Sequence, residues 1–358
     1  MTFTDDEIKE RFEKYGTVYF EDDIKENIDD IKGNEYKKER LDDFFKALKN
    51  YNEFSEQLKK TKLNPNLTVL LYGPPGTGKT SLTRAFAKKY KMPMCVVESD
   101  RLVSPLLGDT IKNIRNVVEL AAEVARENKA FVLFFDEIDA VGSERSNIHE
   151  VGEIKRAVIS FLQVIDKVNY EGIPLAIFGA TNHQHQLDSA IWRRFTFHLR
   201  FDFPNYTLRK KIIESFLDKI ENANIGVDDT IYERLDEEYR KIKDIHETLE
   251  AKLGKDITEF EDNILWEEIK KKTDMEGILY LTAGYSGSDI ERGTRVALFK
   301  VIQTGILTYD IFYNSLKLVG GTAVHVERQD VLSSQERAER DKKQYKSSAP
   351  SSTGPPEL

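Results

Sequence analysis

The chain has the length and composition of a globular protein of about two domains. It has 358 residues, of which 40% are hydrophobic and 32% charged, and a domain typically takes roughly 150 residues. Its longest apolar run, 130–135, is too short to cross a bilayer, and its acidic N-terminus lacks the pattern of a signal peptide. We therefore expect a cytoplasmic protein without a membrane partner. The net charge of −9 disfavours a protein that coats nucleic acid, and the single cysteine, Cys95, excludes an internal disulfide.

Short runs rich in branched and aromatic residues alternate with helical patterns between residues 66 and 203. This alternation is typical of a parallel sheet flanked by helices, so we predict an α/β domain over 30–203. All of the runs are apolar enough to be largely buried. The predicted strands are 68–72, 94–98, 131–135, 175–178 and 197–201.

The pattern after this region is helical and predicts a small second domain over 204–325. Within it, apolar residues at helical spacing predict a long amphipathic helix over 230–253. A capping box of Thr230 and Glu233 would begin this helix, and Gly254 would end it. The remaining predicted segments are a short acidic stretch at 1–29, a charged helical or extended stretch at 326–346 and a disordered tail at 347–358.

A glycine-rich motif, GPPGTGKT, lies between the first predicted strand and a helical run. Its glycines let backbone N–H groups face phosphates, while Lys79 supplies a cation and Thr80 a hydroxyl for Mg²⁺. The alternative is a glycine-rich turn that matches by chance, which the flanking strand and helix disfavour. The predicted phosphate-binding residues are Gly73, Pro74, Pro75, Gly76, Thr77, Gly78, Lys79, Thr80 and Ser81.

A second motif follows the apolar strand 131–135, which ends in two carboxylates. A buried strand can deliver Asp136 to the coordination shell of Mg²⁺ and place Glu137 beside it to polarise an attacking water. Acidic pairs at strand ends also serve as helix caps, but the preceding phosphate loop favours the catalytic interpretation. The two motifs together predict binding and hydrolysis of ATP with Mg²⁺.

From about residue 28 to residue 298 the chain resembles the AAA family of ring-forming, protein-remodelling P-loop ATPases. The segment DIKG at 30–33 resembles the one that lies against adenine in that family, and GYSGSDI at 284–290 resembles the signature where the helical domain touches the nucleotide. Asn182 follows the fourth predicted strand at the position of the family's sensor residue. The residues to which the resemblance assigns nucleotide contacts are Asp30, Ile31, Gly33, Asn182, Gly284 and Ser288.

The resemblance also implies an assembly. Arg193 and Arg194 lie in a segment similar to the one that carries the family's arginine fingers, which act on the ATP of the neighbouring subunit. A homo-oligomeric ring, a hexamer, with a protein client or adaptor is therefore expected. Leu106 replaces the usual aromatic residue of the pore loop, and 143–150 would form a second pore loop. The inserted helix 230–253 or a separate adaptor is the candidate for client choice.

Two other functions keep the same ATP site: a switch that gates a partner effector, and a loader that acts on nucleic acid. The basic runs at 59–62, 209–211 and 270–272 are interspersed with acidic residues. We interpret them as solvated helix faces, which leaves nucleic acid the weaker alternative. His183 and His185 lie in a polar loop without further metal ligands, so Mg²⁺ is the only metal expected.

Overall fold

A computed structural model of the chain describes residues 3–61, 65–102, 109–128, 130–139, 148–259, 264–274 and 276–322. The pore-loop position Leu106 lies outside the described residues. The same holds for 143–147 of the second predicted pore loop and for the C-terminal stretches 326–346 and 347–358.

The first domain is built on a six-stranded sheet, which confirms the predicted α/β fold class. The strand order is β1-β3-β4-β5-β2-β6. The edge strand β1 runs antiparallel to β3, while the other described pairings are parallel. The strands are β1 (Gly16–Tyr19), β2 (Thr68–Tyr72), β3 (Met94–Val97), β4 (Phe131–Phe135), β5 (Leu175–Thr181) and β6 (Phe197–Arg200).

The register brings three strand ends to one edge of the sheet. Tyr72 of β2 pairs with Thr181 of β5, and Phe135 of β4 pairs with Gly179 of the same strand. The segments that follow these strands carry the predicted phosphate, metal and sensor residues. In parallel α/β sheets, ligands bind at this carboxyl edge.

Helices cover both faces of the sheet and form two apolar layers. One layer includes Phe161 and Val118 and the other includes Phe45 and Phe86, all at most 1% exposed. The helices of this domain are Asp5–Phe12, Glu35–Thr61, Lys79–Lys89, Ser99–Leu102, Asp109–Asn128, Ile148–Glu171 and Ser189–Arg194.

The prediction that all five strands are largely buried is wrong for β6. This strand lies at the edge of the sheet, where β2 is its one partner among the described strands. Its exposed positions include Phe197, which is 40% exposed, whereas Leu199 is buried. An aromatic run therefore marked a strand correctly, but at the edge of the sheet the first and last residues of this strand stay exposed.

Residues 3–20 are part of the α/β domain, although the sequence predicted only a short acidic segment there. A capping box of Thr4 and Glu7 begins the helix Asp5–Phe12. Phe12 is fully buried, and its ring stacks on Phe131 with centroids 5.2 Å apart. Strand β1 then extends the sheet. The acidic N-terminal stretch thus covers one end of the hydrophobic core.

The second domain is helical, and we call it the lid. The predicted amphipathic helix is confirmed at Thr230–Leu253, and Gly254 ends it with a φ of +65°. The predicted capping box is wrong, because the cap residue is Asp229 and the Asp228 carboxylate accepts the Thr230 N–H instead. The lid helices are Tyr206–Asn222, Thr230–Leu253, Ile264–Lys272, Ile278–Leu281, Gly287–Thr304 and Tyr309–Val319.

Two short strands that the sequence analysis did not predict join the lid helices: β7 (Gly226–Val227) pairs in parallel with β8 (Ile306–Leu307). The apolar stripe of the helix Thr230–Leu253 faces the lid core, where Leu235 and Ile242 are fully buried. None of the helices in the described part of the chain has both the length and the apolar character needed to cross a bilayer.

Candidate nucleotide site

The loop between β2 and the helix Lys79–Lys89 has the backbone of a phosphate cradle. Gly73, Gly76 and Gly78 all have positive φ, at +132°, +73° and +93°. A side chain at Gly73 would place its Cβ 1.9 Å from the Phe201 carbonyl oxygen, so only glycine fits there. The loop thus turns sharply into a helix N-terminus, whose free N–H groups and dipole favour an anion.

Lys79 is the first residue of the helix that follows this loop, and it is 7% exposed. Its Nζ donates to the carbonyl oxygens of Gly73 (2.7 Å) and Pro74 (2.8 Å) and to Oδ1 of Asn182 (2.8 Å). The structure therefore brings the predicted phosphate-binding lysine and the predicted sensor residue into direct contact. Burial lowers the pKa of Lys79 to about 8, opposed by the nearby Asp136 carboxylate.

The two carboxylates after β4 lie beside the helix that begins at Lys79. The Thr80 hydroxyl donates to Oδ2 of Asp136 over 3.4 Å. Glu137 is exposed and has a φ of +50°, a left-handed conformation that is uncommon for a residue with a side chain. Its N–H donates to Oδ1 of Asp136, and the next N–H, of Ile138, donates to the Ala180 carbonyl (2.9 Å). In this turn Asp136 is half-buried beside Thr80, whereas Glu137 is exposed.

The donor set at this point fits a magnesium ion. Thr80 and Asp136 offer a hydroxyl and a carboxylate, and oxygen ligands of this kind suit Mg²⁺, which usually takes only one or two protein ligands beside water and phosphate. The glycine loop next to them offers backbone N–H groups for the phosphates themselves.

Asp139 and Thr181 support the sensor position, and the sequence analysis did not identify them. The Thr181 hydroxyl donates to Oδ1 of Asp139 over 2.6 Å and accepts the N–H of His183 over 2.9 Å. Asn182 lies between Thr181 and His183 and is fixed by these bonds. The sequence does place this carboxylate and this hydroxyl close to predicted site residues. Their hydrogen bond, however, depends on the register between β4 and β5, which the sequence does not show.

The predicted adenine-side residues lie between the two domains. Asp30 ends a short 3₁₀ turn, Ile28–Asp30. Its carboxylate forms an ion pair with Nζ of Lys219 in the lid, at 3.3 Å. Gly33 has a φ of +73°, and a Cβ there would lie 2.5 Å from Cδ1 of Leu208, also in the lid. Ile31 packs against the core of the α/β domain.

The lid also touches the phosphate loop directly. The N–H of Ser288 donates to the Gly76 carbonyl over 3.2 Å, and a Cβ at Gly76 would lie 2.5 Å from Oγ of Ser286. Ser288 is thus next to the loop, as expected. Gly284 has a φ of +78° and lies beside Gly321; its described contacts do not include the phosphate loop.

The two predicted arginine fingers lie at the end of the helix Ser189–Arg194, and their described contacts do not include the phosphate loop. Nε of Arg194 pairs with Oδ1 of Asp166 at 2.9 Å, and both side chains are nearly half exposed. Arg193 lines a surface cavity of about 510 Å³ together with Trp192 and Arg200. Both arginines are accessible from outside the chain.

The sheet, the glycine loop with its lysine, and the carboxylates beyond β4 define a P-loop nucleotide-binding fold with a helical lid. Residues 69–203 match the family described as "ATPase family associated with various cellular activities (AAA)". This match covers the part of the chain that carries the glycine loop and the carboxylates, and it agrees with the resemblance seen in the sequence.

Curated relatives agree with this assignment. The chain is 36% identical over 174 residues to an uncharacterized AAA family ATPase of Sinorhizobium fredii, covering 49% of each chain. It is 33% identical over 207 residues to 26S proteasome regulatory subunit 6A of Encephalitozoon cuniculi, covering 56% of this chain and 50% of the relative. A probable spastin homolog of Brugia malayi is 37% identical over 161 residues, 44% of this chain and 34% of the relative. The chain thus spans about half the length, or less, of these relatives.

Proposed function

We propose that the protein hydrolyses ATP with Mg²⁺ and uses the energy to remodel a protein client as a subunit of a homohexameric ring. The observation that carries the proposal is the contact of Lys79 with Asn182 at one edge of the sheet, beside Thr80 and Asp136. This contact supports the proposal, because the residues proposed to bind phosphate, to bind the metal and to position water lie close together, as phosphoryl transfer requires.

Each of these residues has a separate task in the proposed reaction. Lys79 exchanges the carbonyl oxygens that it now contacts for phosphate oxygens and keeps its proton as it does so. Thr80 and Asp136 hold Mg²⁺, which when bound offsets the charge of the phosphates. Glu137 polarises the attacking water and accepts its proton, and Asn182 orients that water or the γ-phosphate.

Ring assembly is proposed from Arg193 and Arg194, whose side chains are open to a neighbouring subunit. Arg194 would leave Asp166 to reach the neighbour's ATP. Mixing Arg194→Ala protein, which has an intact phosphate loop, with Lys79→Ala protein tests this. ATPase activity should recover in the mixture, because some interfaces then join an intact loop to an intact arginine. Confirmed mixed assembly without recovery would contradict action between subunits.

Protein remodelling is proposed from the relatives, whose names include a proteasome regulatory subunit and a probable spastin homolog. A Glu137→Gln protein should bind ATP, hydrolyse it very slowly and retain a client during affinity purification. Lys79→Ala protein is the matched control and should retain none. Leu106→Ala should lower client-dependent work while basal ATPase activity survives.

The same set of variants distinguishes the two alternatives. If Leu106→Ala leaves all partner-dependent activity intact while Glu137→Gln abolishes it, the protein is a switch that gates an effector. If DNA stimulates hydrolysis, with affinity that falls steeply as salt rises, the protein is a nucleic-acid loader.

A further inference from the structure

The lid contains a cavity of about 660 Å³ whose described lining includes none of the residues assigned to the nucleotide site. Three parts of the lid enclose it: the helix Thr230–Leu253, the residues that lead into the short helix Ile278–Leu281, and the helix Tyr309–Val319. Its volume is within the usual range of ligand-binding cavities. We call it the lid cavity.

Glu238 lines the lid cavity from a position on the buried face of its helix. The buried residues of this helix are at positions 231, 235, 238, 242, 245 and 249, and all of them except Glu238 are isoleucine or leucine. Glu238 is 6% exposed, and a Cβ at Gly277 would lie 2.3 Å from its carboxyl carbon, so the backbone packs directly against it. Burial raises the pKa of Glu238, because its carboxylate loses hydration there. A carboxyl group at this position therefore needs a physical reason.

The contacts of Glu238 within the lid do not require a charge. Its Oε2 accepts the N–H of Leu279 over 2.7 Å, and its Oε1 accepts the Tyr309 hydroxyl over 3.2 Å. A neutral amide could make both hydrogen bonds. The ion pairs formed by the described residues of this helix, such as the one between Glu237 and Lys241, do not include Glu238. The cavity thus has a buried acidic group without a cationic partner among the described residues.

Tyr280 presents a second unsatisfied polar group to the same cavity. Its side chain is more than nine-tenths buried, and its hydroxyl has no hydrogen-bond partner among the described residues. Buried hydroxyl groups in proteins are nearly always hydrogen-bonded. A ligand that donates a hydrogen bond would satisfy this hydroxyl and the Glu238 carboxylate together.

The walls of the lid cavity suit a cation with an apolar stem. The rings of Tyr309 and Tyr313 are nearly parallel, with centroids 6.1 Å apart, and the Arg234 guanidinium already lies 4.2 Å from the centroid of the Tyr309 ring. Five of the lining residues are acidic and three are basic, so the cavity favours positive charge. The described residues contain no group of three or more side chains that could hold a metal ion, which favours an organic cation.

We propose that the lid cavity binds an organic cation with an aliphatic stem, of the kind that a lysine side chain carries. The ammonium group donates hydrogen bonds to the Glu238 carboxylate and the Tyr280 hydroxyl, and the stem packs against the tyrosine rings. A basic segment of a partner protein and a free polyamine share this chemistry. The site is additional to the proposed ATPase function and does not depend on it.

The test is calorimetric titration of the full chain, without nucleotide, with two probes: spermidine and a tetralysine peptide blocked at both ends. The native protein should bind at least one of them saturably. Glu238→Gln keeps the volume and the hydrogen-bonding capacity of the side chain but removes its charge, and should weaken binding by about tenfold or more, the typical effect of losing a hydrogen bond to a charged group. Tighter binding of the peptide would identify a protein segment as the source of the cation, and tighter binding of spermidine a free polyamine.

Two further variants separate binding from folding. Tyr280→Phe removes a hydroxyl that has no partner, so it should weaken binding by a smaller factor while the melting temperature stays the same or rises. Glu247→Gln is the matched control, since Glu247 is on the same helix but pairs with Lys243 outside the cavity lining, and it should leave binding unchanged. Basal ATPase activity should be the same in all three variants.

The inference is overturned if the native protein binds neither probe saturably, or if it binds a blocked tetraglutamate peptide as tightly as tetralysine. Unchanged affinity in both Glu238→Gln and Tyr280→Phe would also overturn it. Should Glu238→Gln fail to fold, Tyr280→Phe decides alone: native stability with weakened binding supports the site, and native stability with native affinity refutes it.

Discussion

Replacing Glu259 with glutamine should destabilise the lid strongly, because it removes the charge that compensates a wholly buried arginine. Nη1 of Arg209 lies 2.5 Å from Oε1 of Glu259 and 2.9 Å from the Pro204 carbonyl, and Nη2 donates to the Leu279 carbonyl. The other Glu259 oxygen accepts the N–H of Tyr206. The pair thus connects the first lid helix, its entry from the α/β domain and a later part of the lid.

The magnitude follows from burial, since the side chains of Arg209 and Glu259 are 0% and 1% exposed. Breaking such a pair from one side costs about 3–5 kcal/mol of the free energy of unfolding, because a charge stays buried without its partner. For a domain of this size the loss corresponds to a fall in melting temperature of roughly 10–20 °C.

The assay is thermal and urea unfolding of three variants. Glu259→Gln should show the full loss, whereas the double variant Arg209→Met with Glu259→Leu should lose far less, since apolar residues of similar volume replace both charges. Glu237→Gln is the control, because Glu237 and Lys241 form an exposed pair whose loss should not be measurable. The reasoning is refuted if Glu259→Gln behaves like Glu237→Gln, or if the double variant loses as much stability as Glu259→Gln.

Three further predictions concern the lid core, the N-terminal segment and the phosphate loop. Serine at the fully buried Leu235 or Ile242 should lower the free energy of unfolding by about 2–5 kcal/mol. Arg240→Ser, at an exposed position of the same helix, should not. If the serine variants keep their stability but lose a captured partner, this face docks a protein instead. Phe12→Ala should cost about 3–5 kcal/mol in urea unfolding, and a negligible change would mean that the N-terminal segment does not stabilise the α/β domain. ATP affinity should fall as pH rises through about 8, because Lys79 then loses the proton that attracts phosphate; a flat titration from pH 7 to 9.5 would contradict the lowered pKa.

The local parts of the site were predictable from the sequence. The glycine loop and the carboxylates at Asp136 and Glu137 are short motifs whose chemistry does not depend on distant residues. Asn182 was assigned through family resemblance, and its contact with Lys79 across 103 positions of sequence requires β2 and β5 to be neighbours in the sheet. Sequence spacing alone does not determine that register.

Other features depend on contacts that a local pattern does not contain. The basic run 209–211 was interpreted as a solvated face, which is wrong for Arg209: it is fully buried because Glu259, 50 positions away, compensates its charge. Strand β1 has only four residues, too few for a clear alternation, and it forms because β3 offers an open edge. In both cases tertiary partners determined what the residue or segment does.

The central claim is that this phosphate loop hydrolyses ATP with Glu137 as the residue that activates water. The most direct measurement compares phosphate release and ATP binding for the native protein, Glu137→Gln and Lys79→Ala in the presence of Mg²⁺. We expect turnover by the native protein, ATP binding with very slow turnover by Glu137→Gln, and neither by Lys79→Ala. Native turnover by the Glu137→Gln protein, or tight ATP binding by the Lys79→Ala protein, would contradict the account.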